Sequence, residues 1–279
     1  MREPVSSFVE SETPARPDEL RKARFRRAPL HETLRLHLGF LLLGGFCFAI
    51  SVAALPLGLL LPRVASKRLG RRLISASTRA YLKMLTLMGA CHFDLSELET
   101  LRDAPPMVIA PNHPSLLDAL MVLSALPDAT CIMKADIVNH IVFGAAARVA
   151  GYVRNTPLRA MVQQAMAELS QGSHVLLFPE GTRTTRFPIG HLQGTCGLIA
   201  KNAGVPVQTV FIETDSGFLG KGWQLLWTPR MPITYRVRLG KRFDAPTHSA
   251  RFVEELEQYF QAELAHAQLP ELPVVRPRA

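Results

Sequence analysis

The chain has 279 residues and a formal net charge of +9, a length that allows one large globular domain with an appendage. The positive charge favours anionic partners, such as acidic lipid headgroups, phosphorylated substrates or an acidic carrier protein. Aromatic residues make up only 7% of the chain, and no stretch combines basic and aromatic residues as an RNA-binding sheet does, which argues against a nucleic-acid partner. The four cysteines form no C-x-x-C pair, which argues against a zinc site or a disulfide framework and fits a reducing compartment. They are Cys47, Cys91, Cys131 and Cys196.

The first 30 residues are polar, contain four prolines and lack apolar periodicity. This composition predicts a disordered tail, which ends in a cluster of basic residues between Arg21 and Arg27. An uncharged run of 27 residues follows, from Leu36 to Pro62. As a helix it would reach about 40 Å, more than the roughly 30 Å of a bilayer's hydrocarbon core. We therefore predict a membrane-anchoring helical region over residues 31–90.

The orientation of this region stays open, because basic residues stand on both sides of the uncharged run and the positive-inside rule favours neither. One alternative to a spanning helix is a re-entrant hairpin, bent at small residues and proline, with both ends on the cytoplasmic surface. Another is a buried core helix. The candidate bend residues are Gly44, Gly45, Pro56 and Gly58. A second segment, Leu73–Cys91, has an amphipathic pattern suited to the membrane interface.

From Cys91 onward, short apolar runs alternate with helical patterns, which predicts an α/β domain over residues 91–267. We expect a mixed, mostly parallel central sheet flanked by helices, followed by a flexible tail over residues 268–279. The predicted strands are His92–Leu95, Met107–Ala110, Thr130–Lys134, His174–Phe178, Val205–Ile212 and Ile233–Leu239. The predicted helices are Leu116–Ala125, Ile137–Ala150, Leu158–Ser170, Leu192–Asn202 and Arg251–Ala267.

The stretch that follows the second predicted strand carries a candidate catalytic pair. Asn112 and His113 precede Pro114, which suits the first position of a helix because its missing N–H costs nothing there. Asp118 would then lie about one turn into the helix, where it could accept a bond from Nδ1 of His113 and leave Nε2 as a general base. The alternative is ordinary turn and helix-start chemistry without a catalytic role.

A second candidate cluster follows the predicted strand His174–Phe178, which runs directly into a polar turn. Ligands of parallel sheets bind beyond the carboxyl ends of the strands. In this turn Gly181 would let the backbone approach a ligand, Thr182 offers a hydroxyl, and Arg183 has a planar fork suited to phosphate. The alternative is a solvated surface turn.

Taken together, the two clusters resemble the sequence motifs of the glycerolipid acyltransferases of the 1-acyl-glycerol-3-phosphate acyltransferase type. The N-H-x-x-x-x-D block of that family is matched by Asn112, His113 and Asp118, and its F-P-E-G-T-R block is matched in full by Phe178–Arg183. Lys134 matches a lysine between the first and second blocks. Val205–Val207 loosely matches a proline-bearing apolar strand. The resemblance covers roughly residues 90–215.

Two parts of the chain depart from the pattern of this family. Its second block usually contains Asp-Arg, whereas Gly151–Asn155 keeps the arginine, Arg154, without a preceding aspartate. After the third block the family often has a basic residue before a glycine, whereas this chain has Phe187–Gly190. Both departures bear on the identity of the acyl acceptor.

The resemblance implies a membrane-bound enzyme that transfers a fatty acyl group from acyl-CoA or acyl carrier protein to a hydroxyl of a lysophospholipid, such as 1-acyl-glycerol-3-phosphate. His113 would remove the hydroxyl proton and Asp118 would stabilise the imidazolium. Arg183 would hold the phosphate of the acceptor, with Lys134 and Arg154 as further candidates. No metal and no cofactor beyond the acyl donor is expected. No covalent acyl-enzyme is needed, and the chain has no G-x-S-x-G motif.

In the same picture Glu180, Gly181 and Thr182 would shape the acceptor pocket, and Asn112 would order the catalytic turn. The expected location is the cytoplasmic face of a membrane with anionic lipids, which is the inner membrane if the source is bacterial. Three alternatives remain open: a lipid or thioester hydrolase that uses the same His-Asp pair on water, a lipid-binding scaffold without activity, and an acyltransferase for a specialised lipid of the aryl-polyene or ornithine type.

Overall fold

The structure, a computed structural model, describes residues 29–186, 188–225 and 227–265. The predicted tail over residues 268–279 lies outside this part of the chain, and so does the predicted tail over residues 1–30 except for its last two residues.

The chain first forms a helical hairpin from α1 (Leu30–Leu60) and α2 (Arg63–Leu87). The two helices are antiparallel, since the guanidinium of Arg35 lies 3.4 Å from the carbonyl oxygen of Gly89 and the rings of Phe46 and Tyr81 have centroids 6.1 Å apart. The chain reverses at Leu61 and Pro62, where extended backbone and a proline end the helical hydrogen bonding.

The alternative of a hairpin bent within the uncharged run is contradicted, because α1 continues through Gly44, Gly45, Pro56 and Gly58. At 31 residues, α1 is about 46 Å long. It is long and apolar enough to cross a membrane, and only 24% of its most apolar window is buried within the protein. Its exposed large apolar side chains are Leu30, Leu34, Leu38, Leu41, Phe48, Val52, Leu59 and Leu60.

The amphipathic segment predicted for the membrane interface belongs to α2 and turns its apolar face onto the protein. Ile74, Tyr81, Leu82 and Leu85 are buried in the same core as the sheet. The periodicity of this segment thus reflects packing against the α/β domain.

Seven strands form the sheet, in the spatial order β1-β7-β6-β2-β5-β3-β4, and every neighbouring pair is parallel except β6 and β7. The prediction of a mixed, mostly parallel sheet is confirmed. The strands are β1 (Cys91–Asp94), β2 (Val108–Pro111), β3 (Thr130–Met133), β4 (Val153–Arg154), β5 (Val175–Leu176), β6 (Val207–Thr214) and β7 (Ile233–Phe243).

Helices cover both faces of the sheet, so its central strands are buried on both sides. They are α3 (Ser96–Glu99), α4 (Asp118–Ala125), α5 (Ala135–Asn139), α6 (Ile141–Val149), α7 (Leu158–Ser170), α8 (Thr195–Ala203) and α9 (Ser249–Leu264). Alternate residues of β2 point to two separate cores, Ile109 to the core shared with α1, α2 and α4, and Val108 to the core shared with α7, α8 and α9.

Several predicted boundaries were wrong for local reasons. The helix expected over residues 137–150 is broken at His140, whose backbone is extended, and gives α5 and α6. The helix expected from Leu192 begins at Thr195, and the N–H groups of Leu192 and Gln193 donate to Glu257 and Pro179. Strand β4 was not predicted, since two residues carry no periodicity.

One buried ion cluster fastens α2 to α7. The guanidinium of Arg71, 3% exposed, donates to the carboxylate of Glu168 at 2.5 Å, to the hydroxyl of Ser173 at 2.6 Å and to the carbonyl of Ala150 at 2.8 Å. The ammonium of Lys67 donates to the other oxygen of Glu168. Burial raises the pKa of Glu168, but the bonds from Arg71 and Lys67 outweigh it and hold this pKa below its ordinary value.

Candidate active site

The predicted site residues meet at one edge of the sheet. Strands β2, β5, β3 and β4 are parallel neighbours, so their carboxyl ends point the same way. His113 follows β2, the F-P-E-G-T-R turn (residues 178–183) follows β5, Lys134 follows β3 and Arg154 ends β4. This edge is where ligands of parallel sheets bind.

His113 and Asp118 form a hydrogen-bonded pair, with Nδ1 of the imidazole 2.8 Å from Oδ2 of the carboxylate. The Asp118 side chain is fully buried, whereas that of His113 is 15% exposed. The N–H of Ser115 donates to the same Oδ2 at 2.7 Å. An acceptor at Nδ1 fixes the tautomer in which Nε2 is the free base. Burial raises the pKa of Asp118, and the donors from His113 and Ser115 oppose that effect.

The local backbone that creates this pair differs from the prediction. Helix α4 begins at Asp118, whereas Pro114 and the three residues after it form a turn. The prediction of Pro114 at the first helical position was therefore wrong. The turn folds back because the Asp118 carboxylate accepts the N–H of Ser115, which places the carboxylate beside the imidazole.

Asn112 fixes the start of this turn to the neighbouring strand. Its amide nitrogen donates to the carbonyl of Ile212 at 3.0 Å, and its oxygen accepts the N–H of Ile212 at 2.7 Å. The side chain thus continues the β2–β6 pairing beyond Pro111, which has no N–H to offer.

The F-P-E-G-T-R turn wraps around His113. The ring of Phe178 stacks on the imidazole, and the N–H of Thr184 donates to the carbonyl of His113 at 2.8 Å. The buried carboxylate of Glu180 accepts bonds from the N–H of His113, the hydroxyl of Thr184 and the N–H of Gly190. The Glu180 carboxylate thus links the turn at His113 to the F-P-E-G-T-R turn. Burial raises its pKa, and these donors oppose the effect.

Gly181 has a left-handed backbone, with φ of +66°. A Cβ added there would overlap the side-chain amide of Gln193. The left-handed conformation favours glycine at this position, whereas the Gln193 amide ends a flexible side chain that can move aside.

Arg183 lies between the catalytic turn and the loop that joins β6 to β7. Its Nη1 donates to the carbonyls of Leu219 at 2.7 Å and Gly220 at 2.9 Å. Its Nε and Nη2 have no hydrogen-bond partner within the described residues, so part of the fork is free for an anion. Partial burial lowers the pKa of Arg183, and the charge of Asp118 opposes the effect.

Lys134 and Arg154 have exposed side chains two and three strands away from β2. The register of β3 and β4 pairs Met133 with Arg154, so the two cations end neighbouring strands. In the described ranges, no cluster of three His, Cys, Asp or Glu residues has the arrangement of a metal site.

Sequence reasoning missed Ser115, Leu219 and Lys221. Ser115 donates to Asp118, the carbonyl of Leu219 accepts from Arg183, and the ammonium of Lys221 lies 3.5 Å from the hydroxyl of Thr182. Each belongs to the site through a tertiary contact, and only Ser115 stands inside a recognisable motif.

Comparison with known proteins agrees with this geometry. A family model described as Acyltransferase matches residues 92–213. The chain is 22% identical to a 1-acyl-sn-glycerol-3-phosphate acyltransferase of Pseudomonas aeruginosa over 237 residues, covering 83% of this chain and 89% of that protein. It is 33% identical to a lyso-ornithine lipid O-acyltransferase of the same organism over 123 residues, covering 42% of this chain and 47% of the relative.

A solved structure has the same fold. The 1-acyl-sn-glycerophosphate acyltransferase PlsC from Thermotoga maritima superposes with a TM-score of 0.61 at 18% sequence identity, covering 84% of this chain and 93% of that one. At this identity the match supports the fold alone.

The family model spans both motifs, and the two motifs meet at one sheet edge, so residues 92–213 form an acyltransferase domain. More particularly, it is similar to the 1-acyl-sn-glycerol-3-phosphate acyltransferases, and the predicted resemblance to them is confirmed.

Proposed function

We propose that this acyltransferase moves a fatty acyl group from acyl-CoA or acyl carrier protein to the free hydroxyl of a lysophospholipid at a membrane surface, in phospholipid biosynthesis. The observation that carries the proposal is the His113–Asp118 pair. Its Nδ1 is engaged at 2.8 Å, and its Nε2 has no partner among the described residues. A base of this kind typically contributes about 10²- to 10⁴-fold to the rate.

In this mechanism the acceptor hydroxyl gives its proton to Nε2 of His113 while its oxygen bonds to the thioester carbonyl carbon. The tetrahedral intermediate then breaks its carbon–sulfur bond, and the imidazolium returns the proton to the leaving thiolate. The products are an acylated lipid and a free thiol. Asp118 stabilises the imidazolium in between, and no covalent acyl-enzyme forms.

Two acceptors are supported by the relatives. The first is 1-acyl-glycerol-3-phosphate, the acceptor named in the relative that aligns over most of the chain. The second is lyso-ornithine lipid, named in a relative of higher identity over 123 residues. Both carry an anionic group that the free part of the Arg183 fork can bind, with Lys134 and Arg154 at the same sheet edge as further cations.

Membrane attachment through α1 completes the proposal. Its leucine-rich exposed surface suits a lipid environment, and the exposed cations of α2 suit anionic headgroups, at about 1 kcal/mol for each residue near the surface. Those cations include Arg63, Arg68 and Arg72. We assign the catalytic domain to the cytoplasmic face, where soluble acyl thioesters reach it.

The test uses the full-length protein in phospholipid vesicles, supplied with acyl-CoA or acyl carrier protein and with each lysolipid in turn. Mass spectrometry should detect the doubly acylated lipid, and His113→Ala should remove it while vesicle binding stays unchanged. Near-wild-type transfer by His113→Ala would refute the mechanism. If the wild type hydrolyses the thioester without a lysolipid, the result would instead favour a hydrolase. If the wild type neither transfers nor hydrolyses the acyl group, the result would favour a lipid-binding scaffold.

A further inference from the structure

The loop between β6 and β7 (the β6–β7 loop, residues 215–232) forms one wall of the active site. The hydroxyl of Ser115 donates to the carbonyl of Phe218 at 3.0 Å, and the N–H of Leu116 donates to the carbonyl of Leu219 at 3.2 Å. These contacts attach the loop to the catalytic turn, although it lies outside the residues that the family model matches.

The backbone of this loop is strained where it meets Arg183. Leu219 has φ of +57°, a left-handed conformation that is disfavoured for a residue with a Cβ. In this conformation its carbonyl accepts both the N–H of Leu116 and Nη1 of Arg183. Strain of this kind persists where the surroundings hold it, and it concentrates at functional sites.

The same arrangement brings a second cation to the F-P-E-G-T-R turn. Arg183 reaches from the turn to the loop, and Lys221 reaches from the loop to the turn, where its Nζ lies 3.5 Å from Oγ1 of Thr182. This contact is at the long limit of a hydrogen bond, so it leaves the ammonium free to bind a stronger partner. Lys221 is exposed and has no carboxylate within ion-pair distance among the described residues.

Among the described residues no carboxylate forms an ion pair with Arg183 or Lys221, although the charge of buried Asp118 acts on Arg183. Asp118 and Glu180 are both buried, and their oxygens accept bonds from His113, Ser115, Thr184 and Gly190. The free part of the Arg183 fork and the ammonium of Lys221 therefore create a positive surface beside the catalytic base.

We propose that Lys221 is a specificity-determining residue that binds the anionic group of the acyl acceptor, a phosphate or a carboxylate, together with Arg183. This inference rests on the proposed function, because it assumes a lysolipid acceptor at His113. The guanidinium of Arg183 donates in a fixed planar geometry, and the ammonium of Lys221 is a compact charge that can donate to either a phosphate or a carboxylate. Arg183 of the F-P-E-G-T-R turn and Lys221 of the β6–β7 loop would then select the acceptor together, although Lys221 lies outside the residues that the family model matches.

Acyl-transfer kinetics on the full-length protein test the proposal. Wild type, Lys221→Ala and Lys221→Arg are compared with lysophosphatidic acid, lyso-ornithine lipid and uncharged monoacylglycerol as acceptors. Lys221→Ala should raise KM about 10-fold for the acceptor whose anion the site binds, with kcat within about 2-fold, and Lys221→Arg should restore most of the loss. The matched control is Lys201→Ala, an exposed lysine near the end of α8, beside the amino end of β6.

A binding measurement separates this inference from the proposed function. The chain has two tryptophans, Trp223 and Trp227, and both lie in the β6–β7 loop with ring centroids 5.9 Å apart. Titration of the wild type with glycerol 3-phosphate should therefore change the tryptophan fluorescence saturably, and Lys221→Ala should weaken the half-saturation about 10-fold.

The outcomes are distinct. An unchanged KM for both anionic acceptors in Lys221→Ala, an equal loss with monoacylglycerol, or no saturable fluorescence change in the wild type would overturn the role of Lys221. Should the wild type hydrolyse acyl-CoA without transferring the acyl group, the proposed function fails, and the titration still decides whether Lys221 binds the anion. The two lysolipid arms distinguish phosphate from carboxylate as the bound group.

Discussion

The imidazole of His113 lies almost flat against the ring of Phe178, with centroids 3.9 Å apart and 21° between the planes. This contact joins the two motifs physically, because the first residue of the F-P-E-G-T-R turn covers one face of the catalytic base. Together with the bond from Nδ1 to Asp118, it leaves the ring little freedom to rotate and aims Nε2 in one direction.

Replacing Phe178 by leucine should therefore impair catalysis more than binding. The loss of the stacked ring, worth about 0.5–1.5 kcal/mol, should lower kcat about 3- to 10-fold with little change in KM. The control is Phe243→Leu, which removes a ring packed on Phe252 in the core near the opposite sheet edge. A loss of kcat in both variants would mean that general destabilisation, not the aim of the base, is responsible.

Gly181→Ala should destabilise the protein and remove activity. The left-handed backbone alone costs about 1–2 kcal/mol for a residue with a Cβ, and the side-chain amide of Gln193 must also move aside. Gly204→Ala separates the two effects, because Gly204 has φ of +65° with open space where its Cβ would lie. Thermal unfolding should show a larger loss for Gly181→Ala, and only that variant should lose acyl transfer. Equal losses would show that the contact with Gln193 has no energetic weight.

Arg71→Met should weaken the attachment of the helical hairpin. Removal of one partner from a buried ion cluster typically costs about 3–5 kcal/mol, because Glu168 is left buried with fewer donors. Arg68→Ala on the same helix removes an exposed cation and should change the free energy of unfolding by less than about 0.5 kcal/mol. Chemical denaturation of both variants measures the difference, and a small effect of Arg71→Met would contradict a stabilising role for the cluster.

The same cluster predicts a pH dependence of stability. Since bonds from Arg71 and Lys67 hold the pKa of Glu168 below its ordinary value of about 4.3, its contribution is present above that pH and is lost as the pH falls through the lower folded value. The difference in Tm between the wild type and Glu168→Gln should therefore be largest near pH 7 and shrink in acid. A difference that stays constant down to pH 3 would contradict this linkage.

Charges placed on the exposed face of α1 should weaken membrane binding. Leu41 and Phe48 are 72% and 61% exposed, and a lysine at the centre of a membrane-inserted helix costs about 2.5–3.5 kcal/mol. The double variant Leu41→Lys with Phe48→Lys should sediment less with phospholipid vesicles. The control is Leu158→Lys, at an exposed leucine on α7, which should bind vesicles like the wild type. Equal binding by the wild type, the double variant and the control would place the membrane contact outside this face of α1.

Much of this architecture could be predicted from the sequence because local patterns specify it. Val108 and Ile109 belong to a short apolar run that forms a buried strand, and the spacing of His113 and Asp118 predicted their pairing. The start of α4 could not be predicted in the same way, since the carboxylate of Asp118 and the N–H of Ser115 hold a turn where a proline suggested a helix.

The acceptor side of the site was predicted only in part. Arg183 was recognised from its motif, but its bond to the carbonyl of Leu219 depends on how the β6–β7 loop folds back over the catalytic turn. Lys221 lies in that loop and has no sequence pattern of its own. Side chains that join a site through a non-repetitive loop leave no periodicity to detect.

The β6–β7 loop also touches α1. The ring of Phe218 packs on Phe40, with centroids 6.3 Å apart, and the hydroxyls of Thr228 and Thr33 are 3.5 Å apart. Because this loop contacts both the candidate membrane helix and the catalytic turn, the depth at which α1 settles in a bilayer would fix the height of His113 above the lipid surface. With the proposed membrane attachment through α1, the enzyme would select its acceptor by where the hydroxyl lies along the bilayer normal as well as by charge, and the lysolipid would meet the base without first leaving its leaflet.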